Sequence, residues 1–175
     1  MRDDSKYLES VKQQFNYYKS LGDKAIAQLD PEMLFLQPNT ASNSIAMIIQ
    51  HMHGNMLSRW TDFLTSDGEK EWRRRDEEFE VMLASKEEVL EKWEEGWACL
   101  FNAIESINGN MLPHKILIRN EAHTVTEAIN RQLAHYPYHV GQIVFYAKQL
   151  LANKFASLSI PKNKSAAFNA EKFGT

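Results

Sequence analysis

The chain has 175 residues, with 20 Lys and Arg against 23 Asp and Glu, a formal net charge of −3; that length fits one domain with a short tail. Hydrophobic residues at 43% and charged residues at 25% match globular averages and exclude a disordered chain. A single cysteine, Cys99, excludes an internal disulfide and a thiolate metal cluster, and a weakly acidic balance excludes a general nucleic-acid surface.

Glycine is scarce at 7 and proline at 5, and both gather in connections, which predicts a few long helices. The first is expected over residues 6–29, where Tyr7, Val11, Phe15, Tyr18, Leu21, Ala25 and Leu29 recur three or four apart. Asp30-Pro31 ends it, because a residue before proline is pushed out of the α region. The second begins near Ser42 or Asn43 as N-cap and carries Ile45, Ile48, Met52, Met56 and Phe63 to about residue 64.

A charged connection follows over 69–80. Its basic trio Arg73, Arg74 and Arg75 is followed at once by Asp76, Glu77, Glu78 and Glu80, a pattern that predicts a solvated, internally compensated crossover. Ser85-Lys86-Glu87-Glu88 reads as a capping box opening a third helix with Val89, Trp93, Trp97, Leu100 and Ile104. Residues 115–118 and 123–125 flank Asn120-Glu121 as a short hairpin. Thr124-Val125-Thr126-Glu127, a second capping box, starts a last helix through Tyr136, Val140, Ile143 and Ala147 to Leu151. The expectation is an all-α four-helix bundle over 1–155 with a long crossover between helices 2 and 3, followed by a tail over 156–175.

No run approaches the about 20 apolar residues of a membrane span, and Met1-Arg2-Asp3-Asp4-Ser5-Lys6 leads into a polar stretch without a signal-peptide core. The expectation is a cytoplasmic protein without a membrane partner.

The informative spacing is His135-Tyr136-Pro137-Tyr138-His139. Side chains four apart share one helix face about 5–6 Å apart, so two imidazoles there can bind one divalent ion. At about 100° per residue both lie on the flank of the apolar stripe, beside Arg131 and Gln142. Pro137 removes a backbone hydrogen bond and predicts a kink between them. A third ligand is needed, and the second helix offers two. His53 lies nearer the apolar stripe, whereas His51 aligns with Ser44, Ile48, Asn55 and Arg59 on its polar flank; periodicity leaves the choice open. Asn55, Arg59, Arg131 and Gln142 are candidate substrate-binding residues, the arginines for a carboxylate. Trp60, Tyr136 and Tyr138 read as packing residues, Cys99 as a small buried apolar residue, and His114 and His123 as non-ligands.

The segment Ser44-Ile45-Ala46-Met47-Ile48-Ile49-Gln50-His51-Met52, followed later by His135-Tyr136-Pro137-Tyr138-His139-Val140-Gly141-Gln142-Ile143, resembles the DinB-like superfamily. Arg59-Trp60-Thr61-Asp62-Phe63 and Asn130-Arg131-Gln132-Leu133-Ala134-His135 look like one of its uncharacterised bacterial subfamilies. The resemblance implies a four-helix bundle with a divalent ion on His51, His135 and His139, and a homodimer. It also implies a metal-dependent enzyme such as a transferase joining a low-molecular-weight thiol of the bacillithiol kind to a small electrophile. The competing expectations are a non-catalytic metal- or ligand-binding dimeric stress protein and a metal-dependent hydrolase. Zinc, nickel, iron and manganese all suit three histidines.

Overall fold

The computed structural model describes residues 4–80 and 83–174. Four long helices, α1 (Asp4–Ile26), α2 (Ile45–Trp60), α3 (Lys86–Ser106) and α4 (Val125–Leu151), form an all-α bundle, joined by a two-stranded hairpin and a short outer helix α5 (Ser165–Phe173). α2 packs mainly on α3, and α1 on α4. The core is built from their apolar stripes. At its centre the rings of Phe15, Trp97 and Tyr136 meet at centroid distances of 6.0–6.4 Å, and all three are fully buried.

Several boundaries shift for local reasons. α1 stops at Ile26 instead of residue 29, because the chain tightens into shorter-range bonds, Gln28 N–H to Ala25 O and Leu29 N–H to Ile26 O, ahead of the turn Pro31–Phe35 that buries Leu34. The N-cap of α2 is Ser44, not Ser42 or Asn43: its hydroxyl accepts from the Met47 N–H at 3.2 Å. α2 ends at Trp60 instead of residue 64 because Asp62 takes a left-handed φ of 47° and its carbonyl collects the N–H groups of Thr65 and Ser66. Phe63 stays buried beyond the helix.

The Ser85 hydroxyl caps α3 by accepting from Glu88 N–H, but the Glu88 carboxylate reaches back to Ala84 N–H, one residue before the cap. At α4 the Thr124–Glu127 capping box is complete, and the helix continues through Pro137 without interruption. The hairpin pairs β1 (Lys115–Ile118) with β2 (Glu121–Thr124), antiparallel, Lys115 opposite Thr124. Its second strand starts at Glu121, earlier than the expected 123. Arg119 and Asn120, with φ of 55° and 60°, make the tight two-residue turn that suits the twist of such ribbons.

The crossover from α2 to α3 departs most from expectation. The run is solvated only in part: Arg74, Arg75, Asp76, Glu77 and Glu80 are exposed, but Arg73 and Glu78 are among the most deeply buried charged side chains of the described residues. It folds back over the polar flank of α2, which is why His51, Asn55, Ser58 and Arg59 are buried. Asp67 fastens it to the hairpin, its carboxylate accepting from the N–H groups of Arg119 and Asn120 at 2.8 and 2.7 Å, while Gly68 N–H donates to Leu117 O at 2.8 Å. Beyond α4, Phe155 and Leu158 pack on the core, whereas α5 buries no residue.

Candidate metal centre

Three histidines from two helices converge. One ring nitrogen each of His51 on α2 and of His135 and His139 on α4 lie within 4.8 Å of one another, and the Nε2 atoms of His135 and His139 are 3.0 Å apart. Their other nitrogens are held by oxygens. His51 Nδ1 donates to Glu78 Oε2 at 2.9 Å, His135 Nδ1 to Gln132 Oε1 at 3.2 Å, and His139 Nδ1 to Gln142 Oε1 at 2.9 Å. An amide oxygen or a carboxylate only accepts, so each Nδ1 carries the hydrogen, and in the neutral imidazole that leaves Nε2 as the lone-pair nitrogen.

The protonation energetics agree. Burial, followed by the electrostatic influence of the neighbouring His139 and His51 and of Arg59 and Arg73, pushes the His135 imidazole down to about 3. Burial likewise lowers His139. Burial raises the Glu78 carboxyl, but hydrogen bonds from His51 and Arg73 and the charge on Arg73 outweigh it and hold Glu78 below the usual carboxylate range.

Two lone pairs facing each other at 3.0 Å repel unless a cation lies between them. Two imidazoles bound at about 2.0–2.1 Å around a tetrahedral zinc would stand about 3.3 Å apart, close to the observed spacing. Oxygen partners on the outer nitrogens are the usual device for fixing tautomer and ring orientation at a metal. The residues therefore fit a divalent ion.

The elements explain the placement. His135 and His139 are one turn apart on α4, and Gln132 and Gln142, each three residues away, close onto them from either side. His51 is fixed by the crossover turn Asp76–Phe79: Phe79 stacks on its ring at 4.9 Å and 27°, and Glu78 takes its Nδ1. Gly54, one turn on from His51, makes room for Glu78, since a Cβ there would collide with the Glu78 carboxylate. Arg73 grips that carboxylate through Nε at 2.7 Å and Nη2 at 2.9 Å.

His53 points elsewhere, 2.7 Å from Glu95 on α3, and His114 and His123 are outside the cluster. Asn55 is buried, its Oδ1 accepting from the Tyr136 hydroxyl at 3.1 Å, which in turn accepts from Trp60 Nε1. Arg59 is buried against the Gly68 carbonyl and Glu69. Gln142 orients His139. Arg131 stands exposed at the mouth of a cavity of about 240 Å³ that His51 and His135 also line. Trp60 and Tyr136 pack in the core as expected, but Tyr138 is solvent-exposed. Cys99 is half-buried, its thiol pushed up by burial, and lines a separate cavity beside Trp60 and Phe63. Sequence reading missed Glu78, Arg73 and Gln132. The first two sat inside a run whose charges cancel on paper, and Gln132 showed only as a residue three before His135.

A family described as "Protein of unknown function (DUF1572)" matches residues 3–164. No curated protein matches the chain. Among the described residues, no helix is long and apolar enough to cross a membrane.

Proposed function

We propose that the chain, which belongs to the DUF1572 family, is a divalent-metal protein of the DinB-like superfamily acting on a small molecule. The preferred reaction is transfer of a low-molecular-weight thiol of the bacillithiol kind to a small electrophile. The observation that carries this reading is the convergence of three imidazoles, one ring nitrogen of each within 4.8 Å of the others, whose Nδ1 atoms are each held by an oxygen.

His51, His135 and His139 would hold the ion, and neutral ligands leave it its full charge. When bound, such an ion supplies Lewis acidity that keeps a thiol or a water deprotonated at neutral pH. Glu78, the carboxylate bonded to His51, has both oxygens committed to His51 and Arg73 and a lowered pKa, so it orients and does not serve as the general base. That commitment favours thiol transfer, in which the nucleophile arrives as an acidic thiol, over a hydrolase that depends on a carboxylate base. Cys99, raised in pKa and lining a different cavity, has no part in the chemistry; the sulfur comes from the cosubstrate.

The test combines elemental analysis with conjugation of bacillithiol to monochlorobimane, in which an S–C bond forms as chloride leaves. About one equivalent of metal in the wild type, with metal and conjugation both lost in His51→Ala and His135→Ala and retained in His53→Ala, is the expected result. Metal retained in His51→Ala and lost in His53→Ala would overturn the ligand set. A conjugation rate equal in wild type and His135→Ala would overturn the transferase reading.

A further inference from the structure

Beside the histidines, the cavity of about 240 Å³ is lined by five arginines from four segments: Arg59 on α2, Arg73 and Arg75 on the crossover, Arg119 on the hairpin turn and Arg131 on α4. Arg59 and Arg73 are buried at its floor, and Arg75, Arg119 and Arg131 are exposed at its rim. Carboxylates offset only part of this charge. Glu69 pairs with Arg59 at 3.2 Å and with Arg119 at 3.1 Å, and Glu78 pairs with Arg73 at 2.7 Å. Five guanidinium groups against these two carboxylates leave a surplus of three. Counting Asp67 as well, whose oxygens are taken up by the backbone N–H groups of Glu69, Arg119 and Asn120, still leaves two. Arg75 meets Asp76 only at 3.9 Å, with both side chains in solvent.

A further observation points to a ligand. Arg131 makes no hydrogen bond or ion pair among the described residues, although it lies at the mouth of the cavity. Like charges gathered from separate segments around one small space repel one another, and an anion there relieves the repulsion. Guanidinium forks match the paired oxygens of carboxylates and phosphates. The volume lies below the about 300–1,000 Å³ of drug-sized sites, so the occupant is small.

We infer that this cavity binds a small dianion, a phosphate-like or dicarboxylate group gripped by Arg75, Arg119 and Arg131, with the rest of the molecule directed toward His51 and His135. As a statement about substrate it rests on the function proposed above; as a binding site it stands on the arginines.

The test uses metal-free protein at low ionic strength, titrated calorimetrically with inorganic phosphate and, separately, with succinate. The two arms distinguish a phosphate-like from a dicarboxylate ligand. Saturable binding of one probe per chain is expected, weakened at least about tenfold in Arg131→Ala and in Arg119→Ala, and unchanged in Lys162→Ala on the exposed tail. His135→Ala should still bind the anion. No saturable binding of either probe up to about 10 mM, or equal binding in wild type and Arg131→Ala, overturns the inference. Metal uptake without anion binding would overturn it and leave the metal reading standing; anion binding without metal uptake would uphold the anion site and remove the metal reading alone.

Discussion

The three imidazoles are anchored by unequal partners: His135 and His139 by neutral amide oxygens, His51 by a carboxylate that is itself held by a buried guanidinium. A hydrogen bond to an ionised acceptor is about twice as strong as a neutral one and raises the basicity of the ligating nitrogen. Glu78→Gln keeps an acceptor but removes the charge. Its expected effect is metal affinity about 10–100-fold weaker, measured by competition with a chromophoric chelator, with an unchanged helical circular dichroism spectrum. An affinity equal to wild type would mean that the carboxylate does nothing for His51 beyond packing. His51 and His53 show why single residues resist sequence reading: two positions apart on one helix, they end on opposite partners, Glu78 of the crossover and Glu95 of α3.

Among the elements, α2 carries the tightest constraint, because the crossover must come close enough for Glu78 to reach across to His51. Gly54 permits that approach. In an exposed helix interior Gly→Ala gains about 1 kcal/mol, but here the new methyl would meet the end of the Glu78 side chain. Since that side chain can swing away, Gly54→Ala is expected to shift the melting temperature by no more than a few degrees, about 2–4 °C per kcal/mol in a chain of this size. Metal affinity should nevertheless fall about tenfold or more as Glu78 leaves His51. A variant that binds metal as tightly as wild type would show that the approach of the crossover is immaterial to the site. The caps at Ser85 and Thr124 and the presence of a hairpin were legible because each depends on a short stretch of chain, although the turn falls on Arg119 and Asn120 and not on Asn120 and Glu121. The inward course of the crossover was not, since it depends on Asp67 meeting the backbone of a hairpin some fifty residues later.

For the molecule as a whole, the lowered pKa values of His135 and His139 link folding to pH. The folded-state pKa of His135 is depressed to about 3, while an unfolded histidine titrates near about 6.5. Below about 6.5 the unfolded chain therefore takes up protons that the folded one refuses, so stability present above that pH is lost progressively as pH falls toward about 3. The lowered pKa of His139 acts in the same direction. The expected outcome is a urea midpoint of metal-free protein that declines through this window, with a shallower decline in His135→Gln. A slope identical in the two proteins would show that the histidine is not protected from protonation in the fold.

The sequence by itself determined the four amphipathic helices, the hairpin, the caps at Ser85 and Thr124 and the pair His135 and His139, because periodicity, capping and four-residue spacing are local and follow from one stretch of backbone. The tertiary structure decided what depends on contacts between distant segments: His51 lies beside the α4 pair and His53 does not, Glu78 and Arg73 are buried behind it, and five arginines gather around one cavity. Charges that cancel along a sequence do not cancel in space. Once the crossover folds over α2, burial removes the water that would have screened them, and each must find a partner or leave room for one.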